Sequence, residues 1–270
     1  MNVIIITGAS SGMGREFALQ LDRGLRSIDE FWLVSRRAER MKELAKSLRH
    51  RVKILPLDLG EQADIRLFCE VLEEEKPAVR MLINCAGYGL IGDFSDLSLR
   101  EQAGEVDVNC RALMEITYAC LPYMKEKSRI IQMASSAAFL PQPGFSVYAA
   151  TKAFVLSFSR ALREELKSRR IYVTAVCPGP VSTEFFEVAE QYGSVLGIKK
   201  YVMAQPERVV RAALAASCKN RPMSVYGAAI NAFWIMTRLL PQDPVLHLTY
   251  RMKKRGERGA ADPGKDCQTE

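Results

Sequence analysis

The 270-residue chain reads as an α/β protein built on a doubly wound parallel sheet, and three observations predict this. Strand-length apolar runs such as Val3-Ile4-Ile5-Ile6, Phe31-Trp32-Leu33-Val34 and Met81-Leu82-Ile83 alternate with amphipathic stretches of helical length, the pattern of βαβ units. The first run passes straight into a glycine-rich turn, Gly8-Ala9-Ser10-Ser11-Gly12-Met13-Gly14, and then into a helical pattern with Phe17, Ala18 and Leu21 on one face. Apolar residues make up 48% of the chain, enough for one large core, and no linker divides it, so residues 1–254 read as a single domain.

The elements follow in order. Val3 to Thr7 is the first strand. A strand, a glycine turn and a helix together bring backbone N–H groups and a helix N-terminus onto a pyrophosphate. The spacing here is G-x-x-x-G-x-G. Phe31 to Ser35 is the second strand. A site for NAD places an acidic residue at its end to hold the ribose 2′-hydroxyl. This chain has Ser35 there, followed by Arg36-Arg37. Guanidinium groups pair with a 2′-phosphate that a carboxylate would repel, which points to NADP(H). The third strand, Val52 to Leu55, leads to Asp58-Leu59 and a helix from about Gln62 to Glu75. The fourth, Met81 to Ile83, ends in Asn84-Cys85-Ala86-Gly87, whose small residues let a backbone lie close to a ribose. Asn109 falls inside the next helical stretch, which is expected to run to about Lys125. Arg129 to Met133 is the fifth strand, with Ser135 just past its end.

Tyr148-Ala149-Ala150-Thr151-Lys152 opens the next helix. Residues four apart share a face, so a phenol and an ammonium can act on one object. A tyrosine is a poor acid or base at neutral pH, and a nearby positive charge is expected to lower its pKa. A hydroxyl at Ser135 can hold the same oxygen that Tyr148 protonates. The sixth strand, Ile171 to Val176, ends in Cys177-Pro178-Gly179-Pro180-Val181-Ser182-Thr183, which breaks regular structure where such sheets bind ligands. From 184 to 205 the periodicity is lost. This segment is expected to form a lid, with Phe185, Phe186 and Tyr192 lining a substrate pocket and Gly193 and Gly197 as hinges. A helix at 207–218, a short strand at 223–226 and apolar C-terminal helices over 228–254 complete the chain. The tail 255–270 is rich in Gly, Pro and charge and is expected to be disordered.

Bulk properties narrow the function. No signal peptide is expected, no apolar run is long enough to span a membrane, and seven cysteines without a C-x-x-C are expected of a reduced, cytoplasmic protein. Two histidines make a His-based metal site unexpected, and no metal is predicted. The net charge of +7 is concentrated at 36–53, with eight Lys or Arg against two Glu. Its helical spacing fits a solvated face better than a nucleic-acid surface, and its first residues fit a field for an anionic cofactor.

With these residues assembled, the chain resembles the short-chain dehydrogenase/reductase family over roughly residues 2 to 226. The glycine turn, Asn84-Cys85-Ala86-Gly87, Asn109, Ser135, Tyr148-x-x-x-Lys152 and Pro178-Gly179 fall in the family's order and spacing. The resemblance implies a Rossmann-type fold and a catalytic tetrad. Tyr148 would be the acid/base and Ser135 would orient the substrate oxygen. Lys152 would lower the tyrosine pKa and hold the nicotinamide ribose, and Asn109 would support a relay water. It implies cofactor contacts from Gly8, Ser10, Ser11, Gly12, Met13, Gly14, Ser35, Arg36, Arg37, Asp58, Leu59, Asn84, Ala86, Gly87, Tyr148, Lys152, Pro178, Gly179, Val181 and Thr183. Asp58 would lie near the adenine and Thr183 near the carboxamide or phosphates. Cys85 stands where the family commonly has a second Asn, which puts one local contact in question. Ser136 adjoins Ser135, but the thirteen-residue spacing to Tyr148 selects Ser135.

The reading is an NADP(H)-dependent oxidoreductase interconverting a ketone and a secondary alcohol, on a lipophilic substrate such as a hydroxysteroid or bile acid. The alternatives are a 3-oxoacyl thioester reductase and, in another class, a non-catalytic NADP(H)-binding sensor or scaffold. A homodimer or homotetramer is expected, because the Tyr148 helix carries more apolar surface than one core-facing stripe needs.

Overall fold

The computed structural model describes residues 1–192, 203–247 and 250–251. The first half of the chain forms β1 (Asn2–Thr7), α1 (Gly12–Gly24), β2 (Glu30–Val34), α2 (Ala38–Lys46), β3 (Arg51–Leu55), α3 (Gln62–Glu75) and β4 (Ala78–Asn84). Next come α4 (Leu99–Val106), α5 (Leu113–Cys120), β5 (Met124–Met133), α6 (Ser146–Glu165), β6 (Tyr172–Val176), α7 (Phe185–Ala189), α8 (Pro206–Cys218), β7 (Met223–Ser224) and α9 (Ala228–Leu239). The seven strands form one parallel sheet in the order β3-β2-β1-β4-β5-β6-β7. The chain builds outward from β1 to β3, crosses back, and continues from β4 to β7. The crevice of such a sheet opens where that order reverses, at the carboxyl ends of β1 and β4.

Both faces of the sheet are covered, so its central strands read as unbroken apolar runs rather than alternating ones. Alternate residues still divide between two cores, because successive strand side chains point to opposite faces. Val3, Ile5, Trp32 and Val34 pack with Phe68 of α3, Ile116 of α5 and Leu162 of α6. Ile4, Ile6, Phe31 and Leu33 pack with Phe17 of α1, Met41 of α2 and Val210 of α8.

Several boundaries differ from the sequence expectation, each for a local reason. The helix expected to reach Lys125 is broken into α4, a π-helical segment Asp107–Ala112 and α5, followed by a short 3₁₀ turn Leu121–Tyr123. Pro122 lacks a donor for another helical turn, so the α-helix stops at Cys120. β5 therefore starts five residues before Arg129. It absorbs a bulge, since Val79 pairs with Met124 but Met81 pairs with Arg129, and Lys127 takes φ 67. β7 is shorter than expected because Gly227, at φ 93, turns the chain into α9. Residues 185–189, expected to lack regular structure, form α7. The hinges Gly193 and Gly197, most of the C-terminal stretch beyond 247, and the tail 255–270 lie outside the described residues.

The basic run has partners. Lys42 faces Glu39, Arg49 and His50 share Asp22, Arg51 faces Glu30, and Lys53 meets Glu75. Most of these cations already face a carboxylate, as on an ordinary solvated surface. Among the described residues no helix is long and apolar enough to cross a membrane.

Candidate active site

The glycine turn fills the end of β1 with backbone. Gly8 has φ 65, and a Cβ there would lie 2.7 Å from the Ala86 nitrogen; one on Gly14 would collide with the Gly8 carbonyl. Only glycine allows this turn and the close approach of α1, whose N-terminal N–H groups then face outward. Thr7 Oγ1 accepts hydrogen bonds from the Cys85 and Ala86 N–H groups, both at 3.1 Å, which locks the ends of β1 and β4 side by side. Ala86 and Gly87 thereby line the crevice. Asn84 turns inward instead. Its Nδ2 donates to Thr117 Oγ1 at 3.0 Å and to Gln132 Oε1 at 2.9 Å, beneath the crevice. Met13 and Leu59 pack into the two cores.

At the end of β2, Ser35 donates to Ser10 Oγ at 2.8 Å. Arg37 donates from Nε to Ser10 Oγ at 3.1 Å and from Nη2 to Ser11 Oγ at 2.6 Å. Arg36 extends outward, 72% exposed, with Nη1 3.6 Å from an Asp58 oxygen. A cavity of about 250 Å³ opens here, lined by Ser10, Ser11, Gly12, Arg15, Arg40 and Glu184 among others. Hydroxyls, guanidinium groups and a bare glycine backbone are the donor set that a dinucleotide's phosphates require, so the residues present fit that group.

At the other end of the crevice four separate elements converge. Asn109 is wholly buried in the π-helical segment. Its Oδ1 accepts from the Tyr88 N–H at 3.1 Å, and its Nδ2 donates to the Tyr88 carbonyl at 2.8 Å and to Thr151 Oγ1 at 3.1 Å. Lys152 donates to the Met133 carbonyl at 2.9 Å, at the end of β5. Gly87 sits between them: a Cβ there would lie 2.6 Å from Asn109 Oδ1 and 3.3 Å from Lys152 Nζ. Ser135 Oγ accepts from the Ala137 N–H at 3.1 Å, and its hydroxyl hydrogen-bonds the Tyr148 phenol. Ser136 is instead tied by its backbone to the Pro178 carbonyl at 2.8 Å.

The electrostatics differ from the expected lowering of the tyrosine. Burial pushes the Tyr148 phenol up, and the neighbouring Ser135 hydroxyl opposes it. Lys152 lies over the ring, 5.5 Å from its centroid, and burial outweighs its charge. Burial also lowers the Lys152 ammonium to about 8. The phenol is therefore held as a proton donor at neutral pH. Glu105, one helical turn before Asn109, is buried, with one oxygen accepting from the Leu90 N–H at 2.9 Å and the carboxyl raised by burial to about 7.

Of the lid aromatics, Phe185 packs against the Tyr148 ring with centroids 5.3 Å apart, and Phe186 meets Phe185 edge-on at 5.3 Å. Tyr192 lies apart, its hydroxyl donating to the Glu101 carboxylate at 2.9 Å. Val181 and Ala204 form an isolated bridge, and Thr183 packs against Gly12. Gly179 is covered by Ile230 of α9. Sequence reasoning missed Phe145, stacked on Tyr148 at 4.2 Å, and Gly89, which leaves room for that ring. Phe145 precedes Tyr148 by one helical turn, a signal available in the sequence. It also missed Arg40 and Glu184, which pair across 144 positions of sequence.

Known proteins resemble this chain in sequence and in fold. The family model described as short chain dehydrogenase matches residues 2–192. Sulfoacetaldehyde reductase 2 of Chromohalobacter salexigens is 36% identical over 68% of this chain and 74% of its own. The NADP-dependent 3-hydroxy acid dehydrogenase of Schizosaccharomyces pombe is 35% identical over 67% of this chain and 72% of its own. A short-chain dehydrogenase from Sphingobium yanoikuyae, solved in complex with NADPH, superposes with a TM-score of 0.76 at 26% identity, covering 100% of this chain and 99% of that one. The chain therefore belongs to the short-chain dehydrogenase family of oxidoreductases.

Proposed function

We propose that the protein interconverts a ketone and a secondary alcohol with NADP(H), on a bulky lipophilic substrate of the hydroxysteroid or bile-acid kind. The observation that carries the chemistry is the convergence of Ser135, Tyr148, Lys152 and Asn109 on one crevice, with Gly87 wedged between the last two. When bound, the nicotinamide supplies or accepts the hydride. The chain's residues handle the oxygen and its proton. Ser135, its Oγ already accepting from Ala137, donates its O–H to the substrate oxygen. Tyr148, kept protonated by burial, gives its proton to that oxygen as the ketone becomes an alcohol. Lys152, anchored on the Met133 carbonyl and lying over the Tyr148 ring, keeps its positive charge at neutral pH beside the reacting oxygen and the place a nicotinamide ribose would occupy. Asn109, fixed by three hydrogen bonds, holds the inner end of the crevice rigid.

The NADP(H) reading rests on Arg36 and Arg37 at the end of β2, where an acidic residue would select NAD. The printed name of the fission-yeast relative and the NADPH complex of the Sphingobium protein point the same way. The lipophilic reading rests on Phe145, Phe185 and Phe186, which form an aromatic wall around the reacting phenol. A reduced cytoplasm suits the free thiols of the six described cysteines. The test is kcat/KM with NADPH on steroids, bile acids, 3-oxoacyl thioesters and a small ketone, in the parent and in Phe185→Ala. The variant should lose about 1–3 kcal/mol for a steroid-sized ketone and much less for the small one. An unchanged ratio would remove the aromatic wall from the substrate pocket.

A further inference from the structure

Glu184 opens the lid segment, directly after Thr183. Its carboxylate rests on two guanidinium groups at once. One oxygen is 2.8 Å from Arg37 Nη1, and the two oxygens are 2.6 and 2.7 Å from Arg40 Nη1. Arg37 is itself fastened to the glycine turn through Ser10 and Ser11. The hydrogen bond from Arg37 holds the Glu184 carboxyl below its ordinary range, with Arg40 acting in the same sense. Two guanidinium groups, one of them braced by the Ser10 and Ser11 hydroxyls, thus already hold an anion at the end of β2, where the ribose 2′ substituent is read. A carboxylate and a phosphate monoester offer these donors the same kind of acceptor, and one guanidinium pair cannot serve both at full strength.

We propose that Glu184 sets cofactor specificity by competing with the 2′-phosphate of NADP(H) for Arg37 and Arg40, and that Arg40 is a second reader of that phosphate. The inference rests on the NADP(H) reading above. A 2′-phosphate displaces the carboxylate, whereas NAD(H), which has none, leaves it in place. Phe185 follows Glu184 directly and packs on the Tyr148 ring, so displacement at the phosphate end also moves a wall of the substrate pocket. The second reader has a reason in the geometry. Arg36 points at Asp58 and is largely exposed, whereas Arg40, in the first turn of α2, converges with Arg37 on a single anion.

The experiment is a fluorescence titration of the full chain with NADPH, NADH and 2′,5′-ADP. The variants are Glu184→Ala, Glu184→Gln and Arg40→Ala. Half-exposed ion pairs are individually weak, so both Glu184 variants should bind NADPH and 2′,5′-ADP about three- to tenfold tighter, with NADH unchanged within about twofold. Arg40→Ala should weaken NADPH and 2′,5′-ADP about tenfold and spare NADH. Equal weakening of NADPH and NADH in the Glu184 variants would make Glu184 a clasp across the whole dinucleotide and overturn the proposal, as would no change in any ligand. A parent that binds NADH as tightly as NADPH, with both indifferent to Arg37→Ala, would overturn the 2′-phosphate reading of this site and the inference with it.

Discussion

Gly87→Ala should disable the site from within. The backbone of Gly87 is not in the left-handed region, so the penalty comes from contact alone. A Cβ there would lie 2.6 Å from Asn109 Oδ1 and 3.3 Å from Lys152 Nζ. Asn109 cannot retreat freely, because its amide is committed to the Tyr88 N–H, the Tyr88 carbonyl and Thr151 Oγ1. Relief of the clash breaks or stretches the two bonds to Tyr88. A buried polar group left unpaired costs about 1–3 kcal/mol, so the total is about 2–4 kcal/mol. For a chain of this size that is a fall in Tm on the order of 5–10 °C. Turnover should fall further than stability, since Lys152 shares the displaced wall. Thermal unfolding with and without NADPH, alongside kcat, measures both effects. Gly24→Ala is the control, with nothing within 4 Å of its added Cβ. A Gly87→Ala protein that melts within about one degree of the parent and keeps its kcat would refute the reasoning that this wall is rigid.

Arg36→Asp with Arg37→Ala should weaken NADPH by about 2–3 kcal/mol, roughly a hundredfold in Kd, and erode or reverse the preference over NADH. Equal kcat/KM for the two cofactors in the parent would count against these arginines as phosphate readers. Burial lowers Lys152 from 10.5 to about 8, so between those pH values the unfolded chain holds the extra proton and stability rises with pH. Relative to Lys152→Met, which lacks this titration, the parent should gain about 3 kcal/mol of unfolding free energy across that window. A difference that stays flat with pH would show that Lys152 is not a buried charge. The outer faces of α5 and α6 expose Tyr118 (78%), Met114 (43%) and Phe154 (40%), so light scattering at micromolar concentration should give a multiple of 30.3 kDa. Tyr118→Glu should lower that mass, whereas a monomeric parent would refute an interface there.

Much of this site is legible in the sequence because its parts are short and local. The Gly8–Gly14 turn is tied to one strand and one helix, and Tyr148 and Lys152 share a face by helical geometry alone. The alternation of apolar runs with helical stretches points to a doubly wound parallel sheet, whereas the strand order comes from the structure. What escaped depends on distance or competition. Nothing near Glu184 in sequence announces Arg40, since the pair forms only when the end of β6 and the start of α2 meet over the crevice. Asn84 resembles a crevice residue, but the polar pair Thr117 and Gln132 draws its side chain beneath the sheet. The charge of Lys152 suggests a lowered Tyr148 pKa, whereas burial of the ring outweighs a cation lying over it. At α7, five residues are too few to show a helical period.

The central claim is that Tyr148 delivers the proton to a ketone oxygen in an NADPH-dependent reduction. Tyr148→Phe removes that hydroxyl while keeping the ring that Phe145 and Phe185 enclose. Loss of general-acid catalysis costs about 10²–10⁴ in rate. With a bulky ketone and saturating NADPH, the account predicts that reduced-nicotinamide consumption falls by at least about a hundredfold, while the NADPH Kd stays within about twofold of the parent. A Tyr148→Phe protein that keeps more than a few per cent of the parent kcat at unchanged NADPH affinity would contradict it.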